Sequence, residues 1–216
     1  GSGKTAAFGI PILERCQPTG ELQGLVLAPT RELAQQVAEE MNLLQGTHGL
    51  KVMTVYGGTD LEKQARGLDS GVDLIIGTPG RVMDMSERGH LDLAKVEVFC
   101  LDEADRMLDM GFLPDILWIL ERTTSRNQTL LFSATFPQEI LDAANEFMDN
   151  PEFVLTNEEE LDIPPIDLYR ISIGRANKLW ALARLLVRMG DEDQCIVFCN
   201  TKRMVDLAVQ RLQKHR

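Results

Sequence analysis

Val96-Glu97-Val98-Phe99-Cys100-Leu101-Asp102-Glu103-Ala104-Asp105 decides the fold of this 216-residue chain. The stretch is mostly apolar up to Leu101 and then turns abruptly acidic. A run that stays hydrophobic, instead of alternating, marks a strand covered on both faces. Acidic side chains at the C-terminal end of such a strand stand where open α/β sheets bind ligands. An isolated Asp-Glu pair is more often an acidic helix cap, so its meaning depends on the rest of the chain.

The same pattern recurs on either side. Gly24–Ala28, Val52–Val55, Val72–Ile76 and Thr129–Phe132 are further short apolar or β-branched runs. Between them, Glu32–Leu44, Asp60–Leu68, Arg81–Arg88, Gly111–Glu121 and Gln138–Met148 predict helices. Alternation of this kind predicts an α/β fold, a parallel sheet with helices on both faces. The acidic stretch from Thr156 to the diproline Pro164-Pro165 predicts an extended linker over 156–167. The pattern then restarts with a strand near Leu168–Ile173 and a helix bearing Leu179, Leu182, Leu185, Leu186 and Met189 on one face. A strand at Cys195–Phe198 and a helix from about Thr201 follow. Residues 168–216 are too few for a second α/β domain of roughly 100 residues. The expectation is one domain over 1–155, a linker, and the first part of a second domain over 168–216, in a chain cut at both ends.

The chain opens Gly1-Ser2-Gly3-Lys4-Thr5. These residues match the second half of a phosphate-binding loop, G-x-x-x-x-G-K-[ST], set between a strand and a helix. Alone they are equally a glycine-rich turn. Paired with the carboxylates they make chemical sense. Backbone N–H groups of Gly1, Ser2, Gly3, Lys4 and Thr5 would cradle phosphates, and Lys4 would neutralise the β- and γ-phosphates. Thr5 and Asp102 would hold Mg²⁺, and Glu103 would orient and deprotonate a water for in-line attack.

Other strand ends also suit phosphate. Pro29-Thr30-Arg31 and Thr78-Pro79-Gly80-Arg81 each combine a proline, a threonine expected to cap a helix, and an arginine in the first turn. Gly57-Gly58, after Tyr56, offers bare backbone. Each is an ordinary turn when taken singly. Three on one sheet suggest a track for a sugar–phosphate backbone, gripped without reading its bases. Ser133-Ala134-Thr135 follows the run Leu130-Leu131-Phe132, as turn residues or as a hydrogen-bonded link to the acidic cluster.

Composition sets limits. There are 22 basic and 33 acidic residues, a net charge of −11, which argues against a diffuse basic coat for nucleic acid but leaves room for a local groove. Cys16, Cys100, Cys195 and Cys199 have no further Cys or His at zinc-ligand spacing, and scattered thiols suit a reducing compartment. No apolar run approaches the roughly 18 residues of a membrane span.

Taken in order, GSGKT, APTRELAQQ, GG, TPGR, LDEAD, SAT and IVFCNT cover nearly the whole chain. The ordered set resembles the DEAD-box ATP-dependent RNA helicases. That resemblance implies two RecA-like domains closing around ATP, Mg²⁺ and single-stranded RNA. It implies that Asp102 and Glu103 serve magnesium and hydrolysis. It places Pro29, Thr30, Arg31, Gly57, Gly58, Thr78, Pro79, Gly80 and Arg81 along the RNA, with Asn200 and Thr201 touching it from the second domain. Ser133 and Thr135 would couple nucleotide state to unwinding through Asp105. A cytoplasmic monomer without membrane contact is expected, with accessory proteins as further partners. The family's glutamine-containing adenine pocket would precede Gly1 and its later arginine motif would follow Arg216. These 216 residues alone are therefore expected neither to hydrolyse ATP efficiently nor to unwind. A GTPase would need Asn/Thr-Lys-x-Asp, and Met204 stands where the Asp should follow Thr201-Lys202-Arg203. A non-enzymatic ATP-dependent RNA clamp or scaffold and a related DNA translocase stay open as alternatives.

Overall fold

The computed structural model describes residues 3–155, 167–173, 177–190 and 192–213. By its contacts the chain divides into Gly1–Val154 and Leu155–Arg216. The first unit holds five strands: β1 (Gly24–Leu27), β2 (Val52–Val55), β3 (Leu74–Gly77), β4 (Val98–Leu101) and β5 (Gln128–Leu131). They form one sheet in the order β2-β3-β1-β4-β5, and every pairing is parallel. The register is level. Leu27 pairs with Gly77 and Leu101, Val55 with Gly77, and Leu101 with Leu131. All five strands therefore end along one line, and the residues after them emerge at one edge.

Seven helices of this unit alternate with the strands: α1 (Lys4–Arg15), α2 (Arg31–Leu44), α3 (Leu61–Asp69), α4 (Pro79–Glu87), α5 (Ala104–Asp109), α6 (Leu113–Arg122) and α7 (Gln138–Phe147). Side chains along a strand point alternately to either face, and the core follows that rule. Leu25, Leu27, Ile75, Phe99 and Leu101 pack on one face with Val82, Met85, Met107, Ile116, Ile119 and Ile140 of α4 to α7. Val26, Leu74, Ile76, Val98 and Cys100 pack on the other with Phe8, Ile12, Ala34, Val37 and Met41 of α1 and α2. Each fully buried side chain of this size contributes about 1.5–3 kcal/mol. This is the expected RecA-like parallel sheet flanked by helices.

Predicted strand starts at Val72 and Val96 move to Leu74 and Val98. Both valines are buried, so packing, not pairing, explains their hydrophobicity. In the second unit α8 (Lys178–Leu186) and α9 (Lys202–Gln213) form where helices were predicted. The strands predicted at Leu168–Ile173 and Cys195–Phe198 do not form. Leu168 and Phe198 are about nine-tenths exposed, and no described neighbour offers either segment a ladder. A lone strand cannot satisfy its backbone against a sheet. The predicted linker at 156–167 lies outside the described residues except for Asp167.

Candidate functional site

Because the strands are level, Ala28, Tyr56, Thr78, Asp102 and Phe132 are each the first residue past the sheet. Helix α1 brings a sixth element to the same edge. The Arg15 guanidinium at its C-terminal end donates to the Gln128 side chain where β5 begins. Nearer its N-terminus, the Phe8 ring meets Phe132, just past β5, edge-on at 5.2 Å. The helix therefore runs against the strands and delivers its first turn to the carboxyl edge. Gly3 precedes it in the left-handed region (φ 72, ψ 9), and no acidic residue occupies its first turn. Open N–H groups and Lys4 thus give that turn a positive potential. Gly1 and Ser2 lie outside the described residues.

Asp102 is only 5 % exposed. Burial raises its pKa above the usual carboxylate value. The Lys4 ammonium opposes that rise, Glu103 and Asp105 add to it, and the net direction is up. Thr5, half-buried, follows Lys4 on the same turn. Among the described residues no three His, Cys, Asp or Glu side chains gather as a ready-made metal cage. Magnesium suits this arrangement, since it commonly takes one or two protein oxygens and completes its octahedron with water and phosphate. A buried carboxylate crowded by two others is the chemistry a divalent cation relieves.

Glu103 adopts φ 53, ψ 52, one of two non-glycine residues with positive φ among those described. The turn folds its N–H back onto Asp102 Oδ1 at 3.0 Å and starts α5. Such backbone costs about 1–3 kcal/mol and is found where function demands it. The Glu103 carboxylate meets Arg106 Nη1 at 3.1 Å. Asp105 is tied to the loop after β5. Its carboxylate accepts from the Thr135 N–H at 3.1 Å and the Thr135 hydroxyl at 2.9 Å. Its own N–H donates to Ser133 Oγ at 3.2 Å, and that hydroxyl donates to the Thr135 carbonyl at 2.6 Å. Burial would raise the Asp105 pKa, but bonds from Thr135, the Arg106 N–H and Ser133 outweigh it and hold it low.

The other turns line the same edge. Thr30 caps α2, its hydroxyl accepting from the Leu33 N–H at 3.3 Å. Thr78 stands at the cap position of α4 but makes no side-chain cap, contrary to expectation. Its backbone carbonyl already accepts from the N–H groups of Arg81 and Val82, at 3.2 and 3.1 Å. Pro29 and Pro79 are buried and shape their turns from beneath, whereas Arg31, Gly57 and Gly58 are exposed and Gly80 and Arg81 half-exposed. Asn200 and Thr201 lie in the second unit just before α9, where Thr201 Oγ1 accepts from the Met204 N–H at 3.2 Å.

A family model described as DEAD/DEAH box helicase matches residues 1–143. The chain belongs to this family. It is 42 % identical to the RNA helicase CrhR of Synechocystis sp. over 219 residues, covering 99 % of this chain and 44 % of that protein. It is 45 % identical to the DEAD-box ATP-dependent RNA helicase CshA of Geobacillus kaustophilus over 213 residues, covering 98 % of this chain and 45 % of that one. The crystal structure of a DEAD box protein from the hyperthermophile Methanococcus jannaschii superposes with a TM-score of 0.68 at 38 % identity, covering 99 % of this chain and 57 % of that chain. The chain thus spans somewhat under half the length of these curated relatives.

Some residues of this DEAD/DEAH box chain escaped sequence reasoning. Arg106, which holds Glu103, carried no signal beyond its place three residues on in a helix. Tyr56 and Gln64 brace the Gly57-Gly58 turn. A glutamine on the buried side of α3 was the one clue, because buried amides need partners. A cavity of about 200 Å³ lies at the opposite end of the strands, lined by Leu22, Leu68, Val72, His90 and Lys95 among others. At its rim Lys95 pairs with Glu21 and the His90 ring lies 3.3 Å from Asp69 Oδ1, away from the carboxyl edge.

Proposed function

We propose that the protein is an ATP-dependent RNA helicase of the DEAD-box type. It would grip the RNA backbone without sequence preference and couple ATP binding and hydrolysis to local duplex opening. The observation that carries this reading is the first turn of α1, with Lys4 and Thr5, reaching the same carboxyl edge of the sheet as the buried Asp102. Lys4 and the N–H groups of Gly1 to Thr5 would hold the phosphates, and Thr5 and Asp102 the magnesium. When bound, magnesium supplies charge neutralisation at the β- and γ-phosphates. Glu103 would orient a water and accept its proton through Oε1, since its pair with Arg106 uses Oε2 alone.

The loop at Ser133 and Thr135 would report the nucleotide through Asp105, whose carboxylate it already holds. Pro29, Thr30, Arg31, Gly57, Gly58, Thr78, Pro79, Gly80 and Arg81 would form the track for RNA. We read α8 and α9 as the start of a second RecA-like domain, from which Asn200 and Thr201 would touch the same strand. ATP shifts such a system only through a higher affinity for the gripping state. A few kcal/mol suffices to open a short helix, since each duplex step is worth about 1.4 kcal/mol. A monomer in the cytoplasm, assisted by accessory proteins, fits the composition.

The test is RNA-stimulated ATP hydrolysis by the full-length protein, with single-stranded DNA as the control. Stimulation by RNA, lost in Lys4→Ala and in Glu103→Gln, is expected. Equal stimulation by DNA would favour a translocase, and no ATP turnover with intact nucleotide-dependent RNA binding would favour a passive clamp.

A further inference from the structure

We propose that Gln64 and Tyr56 form a brace that fixes the spacing of the three track turns, making both positioning residues for RNA-backbone binding. This rests on the RNA reading above. Gln64 lies on α3 and is 8 % exposed. Its carboxamide donates to the Tyr56 carbonyl at 2.9 Å and to the Thr59 hydroxyl, and accepts the Tyr56 N–H at 3.3 Å. These bonds grip the chain on either side of Gly57 and Gly58. The two glycines cannot hold themselves: a Cβ on either would meet nothing within 4 Å, and Gly58 has φ +80. Without the amide, the freest backbone in the track would have to be ordered by the ligand, which weakens binding.

The brace reaches both neighbouring turns. The Tyr56 hydroxyl accepts from Gln35 Nε2 on α2 at 2.7 Å. The Arg31 guanidinium lies 6.0 Å from the Tyr56 ring centre, a cation–π distance. On the other side, the Thr59 carbonyl accepts from Arg81 Nη1 at 3.5 Å. One connected path thus joins Arg31, the glycine pair and Arg81. Gln64 itself faces inward and would touch no phosphate. Its effect is on where the three turns stand relative to one another.

The experiment measures ATP hydrolysis by the full-length protein against RNA concentration, for wild type, Gln64→Met, Gln64→Glu and Tyr56→Phe, with melting temperatures alongside. Gln64→Met keeps length and loses every bond; Gln64→Glu keeps shape and loses both donations. Both should raise the RNA concentration for half-maximal stimulation by about tenfold, with kcat at saturating RNA and the KM for ATP within about twofold of wild type. The salt dependence of RNA binding should stay unchanged, because no phosphate contact is removed. Tyr56→Phe, which removes only the bond from Gln35, should shift half-saturation by about two- to threefold and carries the test if the Gln64 variants do not fold. RNA half-saturation unmoved in folded variants would overturn the brace, as would a fall in kcat with no change in half-saturation. A wild type that ignores RNA altogether would instead sink the helicase reading, and that result is seen before any variant is made.

Discussion

Glu103 concentrates the conflict between stability and chemistry. It holds a left-handed backbone that glycine would adopt freely, and its charge adds to the crowding of Asp102. Glu103→Gly should therefore raise stability by up to about 1 kcal/mol while abolishing hydrolysis, read from paired thermal melts and ATPase assays. A variant both inactive and less stable would show that the turn is not strained. A second residue-scale effect lies away from the site. Burial, with Asp73 and Glu97 adding, pushes the Cys16 thiol up to about 11. In the unfolded chain a cysteine ionises near its ordinary value, so between the two values the unfolded state holds fewer protons than the native one. Stability must then fall as pH rises through that window. Cys16→Ala should flatten the fall in melting temperature between about pH 9 and 11, compared with wild type. The placement of single residues was the most legible part of the site: Asp102, Glu103 and Asp105 were expected just past a buried strand, and they stand there after β4. The strained backbone of Glu103 was not legible, since φ is set by the turn it must make.

At the scale of elements, the turns matter more than the strands they follow. Gly77 ends β3 where a Cβ would meet the Val55 carbonyl oxygen at 2.7 Å and Val82 Cγ2 at 2.5 Å. The carbonyl belongs to the neighbouring strand and cannot yield without opening the ladder. Gly77→Ala should lower the melting temperature by roughly 4–8 °C and displace Thr78 and the start of α4. An unchanged melting temperature would mean the β2–β3 pairing is looser than described. Sequence periodicity found all five strands of the first unit and most of its helices to within two residues, and burial is continuous in β1, β3 and β4. It missed α5, a six-residue helix begun by the Glu103 turn and anchored by the Ala104 N–H on the Phe132 carbonyl at 3.0 Å. It also promised strands at Leu168–Ile173 and Cys195–Phe198. Strand propensity states only that a segment suits a sheet, and pairing needs a neighbour.

For the whole molecule, a net charge of −11 means that the proposed RNA binding would have to rest on a few placed cations and N–H groups. Binding should weaken with salt, and Arg31→Ala should reduce the slope of log affinity against log salt by about 0.7, the value for one single-strand phosphate. Anisotropy titrations at several salt concentrations measure this, and an unaltered slope would remove Arg31 from the track. The sequence by itself determined a parallel α/β sheet covered on both faces and named the residues that end its strands, because hydrophobic continuity and punctuation are local properties. It could not determine the order β2-β3-β1-β4-β5 or the level register, since these are pairings between segments distant in the chain. Only the tertiary structure decided that α1 runs against β5, so that its first turn reaches the carboxyl edge of the sheet. Packing of Phe8 on Phe132 and of Arg15 on Gln128 sets that direction, and with it the arrival of Lys4 at the edge where Asp102 stands.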